Sequence, residues 1–385
     1  MRRSRLPAFS VVVALFGLLS LLALINAVPA AAAQAGEGTE TVAAKAWVLI
    51  DADTGVVLDA RDPHSPRLIA STTKLLTALV ALRHLGPEAV VPVSRRAADM
   101  PARKLDLPAG SRWSVTELLY GLLLSSANDA AVALAEAPGG SLDGFATQLA
   151  TAATELGLAD HPVVQDPSGL DDADSVGGGN LMSARDLAVV ARAVLAEPLL
   201  ATIVATPRHE FIDPTGRDRS LGNHNKLLRT YDGSIGMKTG YTSRAGQTLV
   251  AAANRDGRTL ISVVLSAGSL YGDTTTLLDR GFAMAPLAVG TGDRLPPVVR
   301  LSPVRSTSPA TMPAASASTD VAPGSSFIGR LLGNLLVQLL LSAAGVVGLL
   351  RTRLRVRQVQ RQRVRQLRRA WADHPATQPL RPGWG

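Results

Sequence analysis

Residues 70–77 have the sequence Ala-Ser-Thr-Thr-Lys-Leu-Leu-Thr and begin an apolar segment that ends before Gly86-Pro87. The apolar residues recur at helical spacing, which predicts a mostly buried helix over 71–84. Because side chains three residues apart lie one above the other on a helix, Ser71 and Lys74 face the same side. A serine hydroxyl becomes a nucleophile when a base takes its proton, and a desolvated lysine can be that base. Taken alone, this pattern is weak, since an N-cap serine followed by a surface lysine has the same spacing.

Two further short motifs contain residue types that suit chemistry on a peptide. Ser-Ala-Asn at 126–128 follows a predicted helix, and Lys-Thr-Gly at 238–240 lies in a predicted strand. A glycine in a strand lets a substrate backbone approach closely, while lysine and threonine offer a charge and a donor to a carboxylate. Separately, each motif has an ordinary explanation: the first would cap the next helix, and the second would be a polar edge strand.

The three motifs together are specific, because their order and their gaps of about fifty and a hundred residues form a known set. On these residues the chain resembles the serine D-alanyl-D-alanine carboxypeptidases of the low-molecular-mass penicillin-binding proteins, peptidase family S11. The resemblance covers about residues 45–285 and includes the segments 51–58, 70–77, 168–171, 183–186, 223–228 and 236–242. It departs at Ala127, where glycine is commoner in the family. After about Ala285 a proline-rich stretch stands where well-studied members have a second β-rich domain.

The resemblance implies which side chains perform the reaction. Ser71 would attack the carbonyl between the two terminal D-alanines of a peptidoglycan stem peptide, with Lys74 as the base in its neutral form. Ser126 would relay the proton to the leaving D-alanine. The backbone N–H groups of Ser71 and Tyr241 would stabilise the oxyanion. β-Lactams, which mimic the same peptide end, would acylate Ser71 and act as covalent inhibitors.

The resemblance also implies which residues bind the substrate. Asn128 would hold the substrate amide, and Lys238 and Thr239 would receive the terminal carboxylate, which suits a carboxypeptidase. Gly240 and Tyr241 complete the substrate-binding set on the same strand. His224 and Lys226 are further candidates to line the cleft.

The hydrophobic pattern between about 40 and 295 predicts an α+β domain. Short apolar runs predict strands at 46–50, 56–58, 248–253 and 259–266, with the two ends of the domain in one antiparallel sheet. Helical patterns occur near 118–124, 129–137, 141–156 and 183–196. Ser114 and Glu117 match a capping box. The resemblance implies a β-lactamase/transpeptidase-like domain, in which helices flank the sheet and form a helical subdomain.

The formal net charge of +8 over 385 residues comes from the ends of the chain. Residues 351–385 hold ten arginines and one aspartate, whereas residues 34–329 carry 25 basic and 30 acidic side chains. The basic character therefore belongs to a tail, and with only 4% aromatic residues the sequence does not indicate a nucleic-acid partner. Residues 1–33 begin with arginines and continue with an apolar run and an alanine-rich exit, which predicts a signal peptide, with an uncleaved anchor as the alternative.

Residues 331–350 form a second apolar run, and as a helix of about 30 Å they are long enough to cross a bilayer. Cationic residues beside a span stay in the cytoplasm, so the 351–385 tail predicts the orientation and an attraction to anionic membrane lipid. Residues 296–328 are rich in Ser, Pro and Ala and predict an extended linker. We therefore expect a cell-membrane protein with one C-terminal transmembrane helix and an extracytoplasmic catalytic domain over 40–295.

Composition excludes several kinds of site. Since the chain has no cysteine, it has no disulfide, no thiolate metal site and no cysteine nucleophile. Its six histidines have no paired metal-ligand spacing, and the implied mechanism uses no metal or cofactor.

Two alternative functions stay open at the level of sequence. A β-lactamase of the same fold would need a glutamate that activates a deacylating water, and the interval between the second and third motifs contains Glu136, Glu155, Glu197 and Glu210. A catalytically silent, membrane-tethered module that binds peptidoglycan or β-lactams is the other alternative. The presence of both motif lysines argues against it, because a binder would not need both.

Overall fold

Strands and helices are mixed along the part of the chain that the structure describes. The structure is a computed structural model, and it describes residues 41–304 except 102, 173–174 and 286–289. The strands are β1 (Ala46–Asp51), β2 (Val57–Arg61), β3 (Arg67–Leu68), β4 (Val90–Pro92), β5 (Arg112–Ser114), β6 (Leu181–Met182), β7 (Arg208–Ile212), β8 (Asp218–Gly222), β9 (Ser234–Thr242), β10 (Gly246–Arg255) and β11 (Arg258–Ala267). The helices are α1 (Lys74–His84), α2 (Arg95–Ala98), α3 (Val115–Leu124), α4 (Asn128–Gly139), α5 (Leu142–Glu155), α6 (Ala184–Ala196), α7 (Pro198–Ala205), α8 (Leu227–Thr230) and α9 (Leu270–Ala283).

Five strands form one antiparallel sheet in the order β2-β1-β11-β10-β9. Ala46 of β1 lies opposite Leu265 of β11, and Lys238 of β9 lies opposite Val250 of β10. The first and last strands of the domain are therefore neighbours, as the sequence predicts. The strand that carries the Lys-Thr-Gly motif, β9, ends the sheet on one side.

Both faces of the sheet are covered by helices. Consecutive residues of β1, Val48 and Leu49, belong to two different hydrophobic cores, as do Val263 and Val264 of β11, because neighbouring side chains of a strand point to opposite faces. The larger core joins the sheet to α1, α3, α4, α5 and α6, and the smaller core joins it to α9. The predicted α+β arrangement, an antiparallel sheet flanked by helices, is confirmed.

Helix α1 lies in the centre of the helical layer, where it contacts α3, α4 and α6. Its residues from Lys74 to Ala81 are buried. The sequence predicts this helix from residue 71, but the structure has a 3₁₀ turn at Ala70–Thr73 before it. The difference arises because the backbone N–H and the hydroxyl of Thr72 both donate to the carbonyl oxygen of Ile69, at 3.2 and 2.6 Å, and this i→i+3 bond belongs to 3₁₀ geometry.

Two predicted helix starts have serine caps. Ser114 Oγ accepts the N–H of Glu117 at 3.1 Å, and Ser183 Oγ accepts the N–H of Asp186 at 3.0 Å. The carboxylate of Glu117 contacts Nε2 of His209 at 2.9 Å. Glu117 therefore makes a tertiary contact instead of the bond to the N-cap backbone N–H that would complete a capping box.

The predictions for the chain ends fall largely outside the described residues. These include the signal peptide at 1–33, the span at 331–350 and the tail at 351–385. Of the predicted linker, residues 296–304 are described, and the N–H of Val304 donates to the carbonyl oxygen of Arg83 at 2.9 Å. Within the described part of the chain, no single helix is long and apolar enough to span a membrane, although α6 and α7, which are bent by 104°, together have the length and composition.

Candidate active site

The structure places Ser71 and Lys74 side by side, as the spacing predicts. Nζ of Lys74 lies 3.0 Å from Oγ of Ser71, and it also donates to Oδ1 of Asn128 at 2.9 Å and to the carbonyl oxygen of Ser168 at 2.5 Å. A neutral amine donates two hydrogens and accepts one. With Asn128 and Ser168 as its acceptors, the lone pair of a neutral Lys74 is left for the proton of the Ser71 hydroxyl. This geometry suits a general base beside a nucleophile.

Burial prepares Lys74 for that role. The residue is fully buried, and its removal from water lowers its pKa to about 7, although Asp166 and Asp129 act in the opposite direction. The nearby charge of Arg103 lowers the pKa of Lys74 further. A large fraction of the enzyme therefore has a neutral amine at this position near pH 7. The explanation of Lys74 as a surface lysine is wrong.

The loop between α5 and β6 holds the carbonyl of Ser168 against Lys74. The carboxylate of Asp166 accepts the backbone N–H groups of Ser168 and Gly169 at 2.7 and 2.8 Å, and that of Val176 at 2.8 Å. It also accepts the hydroxyl of Ser168 at 2.5 Å. Asp166 was not a predicted site residue, although Asp-Pro-Ser-Gly at 166–169 is a turn signal that marks this loop.

Ser126 and Asn128 lie at the N-terminal end of α4. Ser126 has φ +63° and is 7% exposed, so a left-handed backbone conformation presents its side chain at the site. Asn128 uses its side-chain oxygen for Lys74, and its backbone N–H donates to the carbonyl oxygen of Arg103 at 2.7 Å. The N-cap of α4 is Ala127, which has no side-chain cap bond, so the explanation of this motif as a helix cap does not hold.

Lys238 is the second buried lysine of the site. It is 1% exposed, and its Nζ donates to the carbonyl oxygen of Thr239 at 2.9 Å. Burial, and then the charges of Lys74 and Arg103, hold its pKa well below the ordinary value for lysine. An anion that arrives at this end of the site would oppose both effects and favour the charged form of Lys238.

Two glycines allow the close packing around the nucleophile. Gly169 has φ +77°, and a Cβ there would lie 2.1 Å from the carbonyl oxygen of Ala70. A Cβ on Gly240 would lie 2.4 Å from Oγ1 of Thr248 and 3.0 Å from the backbone nitrogen of Ser71. Strand β9 therefore approaches the nucleophile turn backbone to backbone, which a larger residue at 240 would prevent.

We expect Gly240→Ala to lower kcat/KM by about 100-fold, because moving β9 by a fraction of an ångström misaligns the substrate with Ser71. Thermal unfolding should shift by only a few degrees, the effect of one overpacked methyl group. Gly222→Ala is the matched control, since a Cβ at Gly222 in β8 meets no atom within 4 Å. Wild-type kcat/KM for Gly240→Ala would show that the close approach has no role in activity.

The predicted site residues converge on one cleft of about 780 Å³. Six of them line it directly, namely Ser71, Ser126, Asn128, Thr239, Gly240 and Tyr241. The two motif lysines, Lys74 and Lys238, are buried behind this lining. His224 and Lys226 also line the cleft, as expected, together with Arg103 and Tyr271, which the sequence did not indicate.

Two buried aspartates whose charges act on Lys74 already have partners. Asp129 accepts the backbone N–H groups of Leu105 and Leu107 at 2.9 and 3.1 Å, and Asp166 is bound by its own loop. The described residues contain no group of three or more His, Asp or Glu side chains that could hold a metal ion. The groups that face a substrate in this cleft are hydroxyls, amides and the cations beside them.

Comparison with known proteins agrees with this arrangement. A family model described as D-alanyl-D-alanine carboxypeptidase, peptidase family S11, matches residues 30–269. The chain belongs to this family. The sequence-based prediction of a serine-type D-alanyl-D-alanine carboxypeptidase is confirmed.

Several S11 relatives are similar over most of their length. D-alanyl-D-alanine carboxypeptidase DacB2 of Mycobacterium tuberculosis is 39% identical over 251 residues, which are 64% of this chain and 84% of the relative. The crystal structure of a D-alanyl-D-alanine carboxypeptidase from M. tuberculosis H37Rv matches with a TM-score of 0.61 and 36% identity, over 66% of this chain and 97% of that one. A mutant of the Streptomyces K15 DD-transpeptidase matches with a TM-score of 0.57 and 33% identity, over 63% of this chain and 99% of that one. The transpeptidase-like fold of the S11 domain is therefore confirmed.

Proposed function

We propose that this S11 enzyme removes the terminal D-alanine from peptidoglycan stem peptides through an acyl-enzyme at Ser71. The observation that carries this proposal is the contact between Nζ of Lys74 and Oγ of Ser71 at 3.0 Å, with the pKa of Lys74 lowered to about 7. Lys74 accepts the hydroxyl proton while Oγ bonds to the carbonyl carbon between the two D-alanines.

The developing oxyanion and the leaving group need separate partners. The backbone N–H groups of Ser71 and Tyr241 donate to the oxyanion, and the close approach of Gly240 to the backbone nitrogen of Ser71 keeps these donors together. The C–N bond then breaks, and the proton held by Lys74 passes through the hydroxyl of Ser126 to the nitrogen of the departing D-alanine. Water hydrolyses the resulting ester and restores Ser71.

The substrate is held at both sides of the reacting carbonyl. Asn128 binds the amide of the acyl portion, and its own orientation is fixed by Lys74. The terminal carboxylate lies beside Thr239, with Lys238 buried behind the lining at this place. Gly240 and Tyr241 offer the backbone of β9 to the peptide. The same contacts suit a β-lactam, which would acylate Ser71 in place of the peptide.

One observation favours a carboxypeptidase over a β-lactamase of the same fold. The residues that line the cleft include no aspartate or glutamate, and so none of the four candidate glutamates of the sequence lines it. The lining therefore offers no glutamate that could activate a deacylating water. The β-lactam adduct should therefore be slow to hydrolyse.

The test uses the purified protein with a pentapeptide that ends in D-Ala-D-Ala and, separately, with a chromogenic β-lactam. Release of D-alanine and a persistent β-lactam adduct on Ser71, both followed by mass spectrometry, are the expected results. Rapid, repeated hydrolysis of the β-lactam would identify a β-lactamase. Binding of the peptide without release of D-alanine would identify a silent binding module.

We expect kcat/KM to depend on pH through Lys74. Below its pKa of about 7 the amine is protonated and cannot accept the proton of Ser71, so kcat/KM should fall about tenfold for each pH unit. Above that pKa the profile should level off. A pH series of D-alanine release at low substrate concentration measures this acid limb, and a constant kcat/KM between pH 5.5 and 8 would contradict it.

We propose further that the enzyme acts outside the cytoplasmic membrane, held by a helix at 331–350. The arginine-rich residues 351–385 and the apolar run before them support this placement. The full chain should fractionate with membranes, and a chain that stops at Arg330 should be soluble. A soluble full chain, or a tail that external protease digests in intact cells, would contradict the proposal.

A further inference from the structure

The cleft carries two side-chain cations at its surface, Arg103 and Lys226, and its lining contains no acid. This contrasts with the domain around it, since residues 34–329 hold more acidic than basic side chains. Lys226 lies over the ring of Tyr271, with Nζ 5.8 Å from the ring centre. Arg103 has no acidic side chain of the described residues within ion-pair distance, so its charge is available to a ligand.

Arg103 is held at the site by groups that do not cancel its charge. Its carbonyl oxygen accepts the N–H of Asn128 at 2.7 Å, which ties its backbone to the site. Its Nη1 donates to Nδ1 of His224 at 2.7 Å. Burial, together with the charges of Arg103 and Lys238, lowers the pKa of His224 to about 4, so the imidazole is neutral and accepts this bond at physiological pH.

His224 is itself fixed in place. Its backbone N–H donates to the carbonyl oxygen of Leu124 at 3.1 Å, and its carbonyl oxygen accepts the hydroxyl of Tyr271 at 3.1 Å. The imidazole accepts its hydrogen bond from Nη1, on one edge of the Arg103 guanidinium. The remaining N–H groups of the guanidinium form the planar pair that binds a carboxylate bidentately.

The buried Lys238 is a poor first receptor for an anion. Lys238 is 1% exposed and donates to its own strand at Thr239. Burial and the charges of Lys74 and Arg103 disfavour its protonated form. An arginine stays protonated under the same conditions. Arg103 and Thr239 line the same cleft, so a carboxylate bound beside Thr239 lies in the cavity that the Arg103 side chain faces.

We propose that Arg103, oriented by His224, supplies the charge that binds the C-terminal carboxylate of the substrate, with Thr239 as the second donor. Recognition of this carboxylate by Arg103 would then restrict cleavage to a free peptide end. The proposal rests on the carboxypeptidase reaction proposed above. Lys238 has a supporting position behind the bound carboxylate, which favours its protonated form once the substrate is in place.

The experiment compares two peptides that are identical except at the C-terminus, one with a free D-Ala-D-Ala carboxylate and one with the carboxamide. The ratio of their kcat/KM values measures recognition of the carboxylate alone, because both peptides need the same acylation by Ser71 and Lys74. Arg103→Gln should lower this ratio by about 10- to 100-fold, the loss expected for one charge-assisted, bidentate contact. Arg103→Lys, which keeps the charge without the planar pair, should lower it less.

The matched control is Arg95→Gln, which removes the same charge from an exposed residue of α2 outside the cleft and should leave the ratio unchanged. A wild-type ratio for Arg103→Gln, with loss of the ratio in Lys238→Gln, would assign the charge to Lys238 and overturn the proposal. Equal turnover of both peptides by the wild type would overturn it as well, while leaving the carboxypeptidase reaction intact. If the wild type cleaves neither peptide, the carboxypeptidase reaction itself fails, and this proposal fails with it.

Discussion

Ser71→Ala is expected to lower D-alanine release by about 10⁴-fold or more, because the substitution removes the atom that forms the acyl-enzyme. The cleft loses one oxygen and no packing group, since Ser71 lies at its surface in the 3₁₀ turn before α1. The protein should therefore fold normally and still bind the peptide. Mass spectrometry should show no β-lactam adduct, and thermal unfolding should match the wild type.

A matched serine variant makes this result specific. Ser243→Ala removes a hydroxyl from an exposed residue just after β9 that does not line the cleft, and it should keep wild-type activity. If Ser71→Ala keeps a substantial rate while Ser243→Ala behaves like the wild type, another group is the nucleophile. An adduct on Ser126 in the Ser71→Ala protein would identify that group directly.

Lys74→Met should lower kcat/KM by about 10³- to 10⁴-fold, because Ser71 loses its base. Methionine fills much of the buried volume but leaves Asn128 Oδ1 and the carbonyl of Ser168 without the donor they have now. Some loss of stability therefore accompanies the loss of rate, and unfolding must be measured on the same samples.

Lys74→Arg tests whether residue 74 must be a base or only a positive charge. An arginine supplies donors for Asn128 and Ser168 but does not give up its proton in this pH range, so it cannot accept one from Ser71. We expect this variant to be as slow as Lys74→Met and to lose the acid limb of the pH profile near 7. Activity close to the wild type in Lys74→Arg would show that a positive charge, and not a base, is what the site needs at residue 74.

The catalytic motifs were predictable as a set, because their order and gaps are specific although each motif alone is weak. The spacing of Ser71 and Lys74 on one helix turn is enough to place the two side chains together, and apolar periodicity is enough to bury that helix. Likewise, the serines at the starts of α3 and α6 predict helix starts that the structure has.

Other parts of the site depend on contacts that no local pattern specifies. Arg103 comes from a segment between short elements, and only the folded chain shows that His224 supports it. The left-handed backbone of Ser126 is unusual for a serine and has no signal in the surrounding residues. The start of α1 was misplaced because a hydrogen bond from Thr72 selects the tighter turn. The contact between Arg103 and His224 joins residues 121 positions apart, whereas the bond from Thr72 to Ile69 spans only three.

The order of the strands has a consequence for how the folded state can be measured. The cleft combines the nucleophile turn near the start of the domain with β9, at the end of the sheet, and with residues 268–271 after β11, so it is complete only when distant parts of the chain have come together. Covalent capture of a fluorescent β-lactam by Ser71, the acylation proposed above, should therefore count molecules in which the residues from about 71 to 271 have come together. Unlike far-ultraviolet circular dichroism, this signal should vanish as soon as β9 separates from the nucleophile turn, even while the helices persist.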